Sequence, residues 1–132
     1  MEKIYHGSCH CGRVRIEAQI DLDMGTTKCN CTRCWKKRWW GIQLKPPAFR
    51  LLEGEDCLTH GAKGGFCRHC GTTMFSVVDT SGWGAGFSGE IVSLSLSCLD
   101  NVDPAEILAA PVKYCDGLNN NWWNPPAETR YL

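Results

Sequence analysis

Gly7-Ser8-Cys9-His10-Cys11-Gly12, read together with its later counterpart Phe66-Cys67-Arg68-His69-Cys70-Gly71-Thr72, decides the fold of this chain. Each stretch is a close cysteine pair flanked by glycine, as a tight chelating turn requires. Two such pairs make four thiolates, the ligand count of a closed tetrahedral zinc site. Between them lies a triple, Cys29-Asn30-Cys31-Thr32-Arg33-Cys34. Three ligands leave one coordination position open, and zinc chemistry separates catalytic from structural sites along that line. The natural partition makes Cys9, Cys11, Cys67 and Cys70 a fold-holding site and leaves Cys29, Cys31 and Cys34 as a working one. A competing partition joins Cys31 and Cys34 with Cys67 and Cys70. Its CxxC…CxxC gap is longer than the common ribbon spacing, and it leaves Cys9, Cys11 and Cys29 without a role.

The rival to metal is a disulfide framework. The opening Met1-Glu2-Lys3-Ile4-Tyr5 leads into no apolar run of signal-peptide type, and no stretch has the length of a membrane span. The expected setting is therefore the reducing cytoplasm, where clustered cysteines bind metal more often than they form disulfides. Cys-x-Cys pairs are awkward disulfides and good chelates. Thiolate ligands select Zn²⁺ over Mg²⁺ or Ca²⁺, and an iron–sulfur cluster usually takes four cysteines where the triple offers three.

A chain of 132 residues is expected to form a single domain, 1–132, with its own core. Short strand-like runs occur at 3–7, 13–20, 49–52, 72–78 and 91–96. Several alternate apolar with polar, as in Val14-Arg15-Ile16-Glu17-Ala18, the period of half-buried strands. Asp103 followed by Pro104 signals the start of a short helix over 105–110. A further turn or two of helix is expected at 35–40, and the Asn-, Pro- and Trp-rich tail 111–132 is expected to pack as irregular coil. The fold class is all-β, with little helix and with loops tied by metal.

Net charge is zero but unevenly spread. Between Met24 and Leu52 there is no acidic residue, while Lys28, Arg33, Lys36, Lys37, Arg38, Lys45 and Arg50 are all basic. This block surrounds the triple, where a positive field would draw in an anionic ligand and favour thiolate. Trp35, Trp39 and Trp40 within it suit base stacking, yet the chain as a whole lacks the basic excess of a dedicated nucleic-acid binder. His10 and His69, inside the chelating pairs, would overfill a four-coordinate site and are expected outside it. Cys57, Cys98 and Cys115 read as small core residues, and Trp122-Trp123 as cover for the core.

The three cysteine clusters, in this order and spacing, resemble the glutathione-dependent formaldehyde-activating enzyme (GFA) family, which includes centromere protein V (CENP-V). The tail, from Tyr114-Cys115-Asp116-Gly117 through Trp122-Trp123 and Pro125-Pro126, resembles a bacterial branch of it. The resemblance implies a β-rich, Mss4-like fold. It implies a structural zinc on Cys9, Cys11, Cys67 and Cys70, and a second, more labile zinc on Cys29, Cys31 and Cys34. It also implies a carbon–sulfur lyase that joins glutathione to formaldehyde. A thiol taken up at the open position would be deprotonated and could add to an electrophilic carbonyl, giving an S-hydroxymethyl adduct. If that thiol is glutathione, its carboxylates need cations, and Arg33, Lys36, Lys37 and Arg38, within and just after the triple, are the candidates, with Arg33 suited to a bidentate grip. The alternative is a zinc-stabilised module that binds protein or nucleic acid without catalysis.

Overall fold

A computed structural model describes all 132 residues, Met1–Leu132. In chain order its elements are β1 (Glu2–Ser8), β2 (Arg15–Asp21), β3 (Thr26–Cys29), α1 (Thr32–Lys37), β4 (Gly41–Leu44), β5 (Phe49–Glu53), β6 (Gly64–Phe66), β7 (Thr73–Asp79), β8 (Glu90–Ser95), α2 (Pro104–Ala109) and β9 (Val112–Cys115), with short 3₁₀ turns between some of them. The fold is β-rich and Mss4-like. One sheet has the order β1-β2-β5 and the other β6-β7-β8-β4-β3-β9. Every pairing is antiparallel except β3 with β9.

The alternation read at Val14–Ile20 places the core. Val14, Ile16, Ala18 and Ile20 are buried while Arg15 and Gln19 face solvent, as a strand with one wet face requires. Across from them the second sheet contributes Met74, Phe75, Val92 and Leu94, all buried in the same apolar cluster. Phe49 of β5 packs on Phe75 of β7 with ring centroids 4.6 Å apart and planes tilted by 52°, an aromatic pair that joins the two sheets.

All five expected strands are present with small shifts at their ends. The helix expected after Asp103 is α2: Asp103 accepts from the Ala105 N–H at 2.9 Å, and Glu106 reaches back to the Asp103 N–H at 3.1 Å, closing a capping box. The helix expected at 35–40 begins earlier, at Thr32, because the Cys31 thiol caps it by accepting from the Cys34 N–H. It stops before Arg38, whose left-handed backbone (φ 54) ends the helix. The tail is not wholly coil. Val112–Cys115 is a strand parallel to β3, in the register Thr26↔Val112 through Cys29↔Cys115. That pairing rests on a partner from far away in sequence, which local patterning does not report. Trp122 and Trp123 are 47% and 60% exposed, so they do not cover the core. No helix is long and apolar enough to cross a membrane.

Candidate metal centres and the adjoining cavity

The β1–β2 turn carries Cys9 and Cys11, and the β6–β7 turn carries Cys67 and Cys70. These turns belong to different sheets, yet the four Sγ atoms all lie within 4.8 Å of one another. Cys9 and Cys11 sulfurs are 3.6 Å apart, and Cys11 and Cys67 sulfurs 3.7 Å apart. A tetrahedron with Zn–S bonds of about 2.3 Å has S···S edges of about 3.8 Å, so the donor set fits zinc. The same separations are far too long for a disulfide bond, and all ten cysteines are free.

The two turns are built alike. Gly12 donates its N–H to the Cys9 carbonyl at 3.0 Å, and Gly71 donates to the Cys67 carbonyl at 2.7 Å. Both glycines have φ +81, a left-handed geometry that only glycine adopts without strain. Hydrogen bonds from the Thr72 hydroxyl and N–H pull the Cys70 thiol down to about 5, while burial pushes Cys67 up to about 11. Cys11 is lowered by the Arg13 N–H and guanidinium, a cation well placed to offset the charge of four thiolates. His10 and His69 are exposed and outside the ligand cluster, as expected.

The triple sits at the far edge of the second sheet, where β3 and β9 end side by side. Cys29 closes β3, Cys31 caps α1 and Cys34 lies in its first turn. Their three Sγ atoms also lie within 4.8 Å of one another. The Cys31 N–H points at Cys29 Sγ and the Cys34 N–H at Cys31 Sγ, both at 3.4 Å. Against the opposing effect of burial, the Cys34 N–H and side chain lower the Cys31 thiol. Burial raises Cys29, and burial with the neighbouring Cys31 thiol raises Cys34 to about 12. Three soft donors gathered this closely fit a zinc ion and leave room for one further ligand.

A network that sequence reading did not identify fixes this loop. Asn30 is buried, donating to the Asp116 carboxylate at 2.8 Å and accepting from the Leu118 N–H at 3.0 Å. Asn119 donates to both Asp116 oxygens, at 3.1 and 3.0 Å. The Asn30 and Asn119 amides hold the Asp116 carboxyl below its ordinary value. The chain turns over Cys29 at Gly117, which packs closely against the Cys29 sulfur.

Beside the triple is a cavity of about 140 Å³. It is lined by Cys29 and Cys34, by Trp35, Trp39 and Trp40, and by Lys28, Arg38 and Leu132. Lys28 Nζ lies 4.1 Å from the Trp40 ring and the Arg38 guanidinium 4.7 Å from the Trp35 ring, cation–π contacts that hold both charges at the cavity wall. Of the cations expected near the triple, Arg38 lines the cavity. Arg33, Lys36 and Lys37 are on exposed positions of α1 and do not line it. Lys28 does line it and was missed, although its place in the basic block immediately before Cys29 was the available signal. Cys98 is buried as expected, whereas Cys57 and Cys115 are only partly buried.

Residues 4–113 match the family model described as "Glutathione-dependent formaldehyde-activating enzyme". The chain belongs to that family. A crystal structure of a Rhodobacter sphaeroides protein is similar to this member of the glutathione-dependent formaldehyde-activating enzyme family. The TM-score is 0.60, with 22% identity over 82% of this chain and 99% of that one. At that identity the likeness shows the shared fold. The family match covers all three cysteine clusters and stops within β9, so the turn at Gly117 and the end of the tail lie outside it.

Proposed function

We propose that this protein is a zinc-dependent, carbon–sulfur lyase-like enzyme of the cytoplasm, a single domain over residues 1–132. In this reading it takes a small thiol, glutathione, beside Cys29, Cys31 and Cys34, and forms or cleaves an S-hydroxymethyl-type adduct with formaldehyde or a related electrophile. The carrying observation is the asymmetry of the two cysteine centres. The four-cysteine set joins two sheets, whereas the triple adjoins a cavity bearing two cations. Family membership supports the thiol partner, and ten free cysteines suit a reducing compartment.

Zinc on the triple would supply a Lewis acid that favours the deprotonated form of a thiol beside it. The chain's own residues do the rest. Lys28 and Arg38 offer charge-assisted hydrogen bonds to the thiol's carboxylates. The three tryptophans give the cavity an apolar lining, and Arg33, Lys36 and Lys37 add to the positive field that attracts an anion. The thiol proton leaves to solvent and the sulfur lone pair forms the C–S bond to the carbonyl carbon. The carbonyl π pair moves to oxygen, which takes a proton from water. The reverse reaction breaks the same bond and returns aldehyde and thiol.

Metal counting with two variants tests this. The wild type should hold two zinc ions per chain. Cys31→Ser should hold one, stay folded by circular dichroism, and lose glutathione-dependent turnover. Cys67→Ser should unfold or become insoluble, because Cys67 is fully buried between the sheets. Retention of the second zinc and of turnover by Cys31→Ser would refute the assignment.

A further inference from the structure

The cavity beside the triple is partly filled by the chain itself. Arg38 donates from Nη1 to the Tyr131 carbonyl at 2.9 Å, and Lys28 Nζ donates to the main-chain oxygen of Leu132 at 3.2 Å. The Tyr131 ring meets Trp35 edge-on, with centroids 5.1 Å apart and planes at 73°. Neither Lys28 nor Arg38 pairs with a carboxylate side chain; the ion pairs of the protein lie elsewhere. The two cations at the cavity thus hold consecutive main-chain oxygens, which is the pattern of acceptors that the end of a peptide-like ligand presents.

The strap is weakly held. Tyr131 is 42% exposed, and the segment belongs to no strand or helix. Within the tail its own anchor is a turn bond from the Leu132 N–H to the Thr129 carbonyl at 3.0 Å. Segments with so few buried contacts open at low cost. Arg38 also gains more from a ligand than from the strap. A guanidinium bound to a carboxylate makes two parallel charge-assisted bonds, roughly twice as strong each as a bond to a neutral acceptor.

From this geometry we propose that Lys28 and Arg38 are the specificity-determining pair for the carboxylate of a peptide-like thiol, and that the Tyr131–Leu132 segment occupies the pair as a built-in competitor which the ligand displaces. The proposal rests on the thiol-binding reading above and adds the residues that select the ligand and the segment that gates it.

The test uses the full-length, zinc-loaded protein, calorimetric titration with glutathione and with S-methylglutathione, and hydrogen exchange at the Leu132 amide. Both ligands carry the same carboxylates, but the second has no free thiol. Tyr131→Ala should bind both roughly three- to tenfold tighter than wild type, the range set by losing one aromatic edge contact. In the wild type, either ligand should speed exchange at Leu132. Lys28→Met in the Tyr131→Ala background should weaken both ligands at least tenfold. If glutathione binds wild type and Tyr131→Ala equally, or binds the variant more weakly, the gating segment is refuted while thiol binding stands. If neither protein binds glutathione, the thiol reading itself falls, and the competitor with it.

Discussion

Gly117 is where the tail presses hardest on the triple, and Gly117→Ala tests whether the tail sets the position of Cys29. A methyl carbon at this position would lie 2.8 Å from Cys29 Sγ and 2.5 Å from the Trp122 ring, where ordinary contact begins near 3.4 Å. The Gly117 backbone is not in the left-handed region, so alanine brings no conformational penalty and the perturbation is purely one of space. Trp122 is half-exposed and can swing outward. Cys29 is buried and fixed in register with Cys115, so its sulfur has to yield by several tenths of an ångström. Overpacking of this kind costs about 1–3 kcal/mol. Falling on one ligand of three, it would weaken the second zinc by about 5- to 150-fold. The four-cysteine centre lies on other turns and should be untouched. The assay is a competitive chelator titration that counts zinc released at each step, run beside circular dichroism. The expected record is one zinc released at lower chelator concentration, one unchanged, and an unaltered fold. Two zinc ions retained with wild-type affinity would refute the claim that the tail positions Cys29.

Phe75→Ala should cost about 3–5 kcal/mol in denaturant unfolding, because Phe75 is fully buried and carries the ring contact to Phe49 across the sheets; a loss under about 1 kcal/mol would mean that the sheets are joined elsewhere. Glu106 is hydrogen-bonded to Lys3 and to the Asp103 N–H, and both hold its carboxyl below the ordinary 4.5. A depressed carboxylate contributes stability above that ordinary value and loses it as pH falls through the lower folded value. The melting-temperature gap between wild type and Glu106→Gln should therefore be open at pH 7 and narrow in acid below the ordinary value, and a gap that widened in acid would reverse the sign. Asp116→Ala leaves the buried Asn30 amide without its acceptor. It should lower glutathione affinity while sparing the four-cysteine zinc, read by titration and metal count; unchanged glutathione affinity would show that the Asn30 loop keeps its form unaided.

The parts of the fold legible in the sequence are those encoded locally. The period of two from Val14 to Ile20 places β2 and its buried face, and Asp103-Pro104 marks the start of α2. What patterning did not reveal depends on distant partners. β9 is four residues whose strand identity comes from lying beside β3. Asp116 looks like any turn aspartate until Asn30, far away in sequence, is found against it. The cysteine ligand sets were legible because chelation demands tight spacing, and spacing is a local property. The cavity was half legible. Charge counting picks out the basic block and Arg38, but it does not separate Arg33, Lys36 and Lys37, which a helix turns outward, from Lys28, which a strand turns in.

Location supports the different roles proposed for two clusters of the same residue type. Cys9 and Cys11 stand on one sheet, Cys67 and Cys70 on the other, and the meeting of the four sulfurs closes the long intervening chain. A metal there holds together segments the unfolded chain keeps apart, so its binding energy is folding energy. Cys29, Cys31 and Cys34 lie on one short stretch whose shape is already set by the α1 cap, the β3–β9 pairing and the Asn30–Asp116 bond. A metal there closes no long loop and adds little to folding, so this site can exchange its metal or open a coordination position without unfolding the chain. The same independence lets the tail press on Cys29 and strap the cavity without threatening the core. The centre that the fold can do without is therefore the one to which the proposed chemistry is assigned.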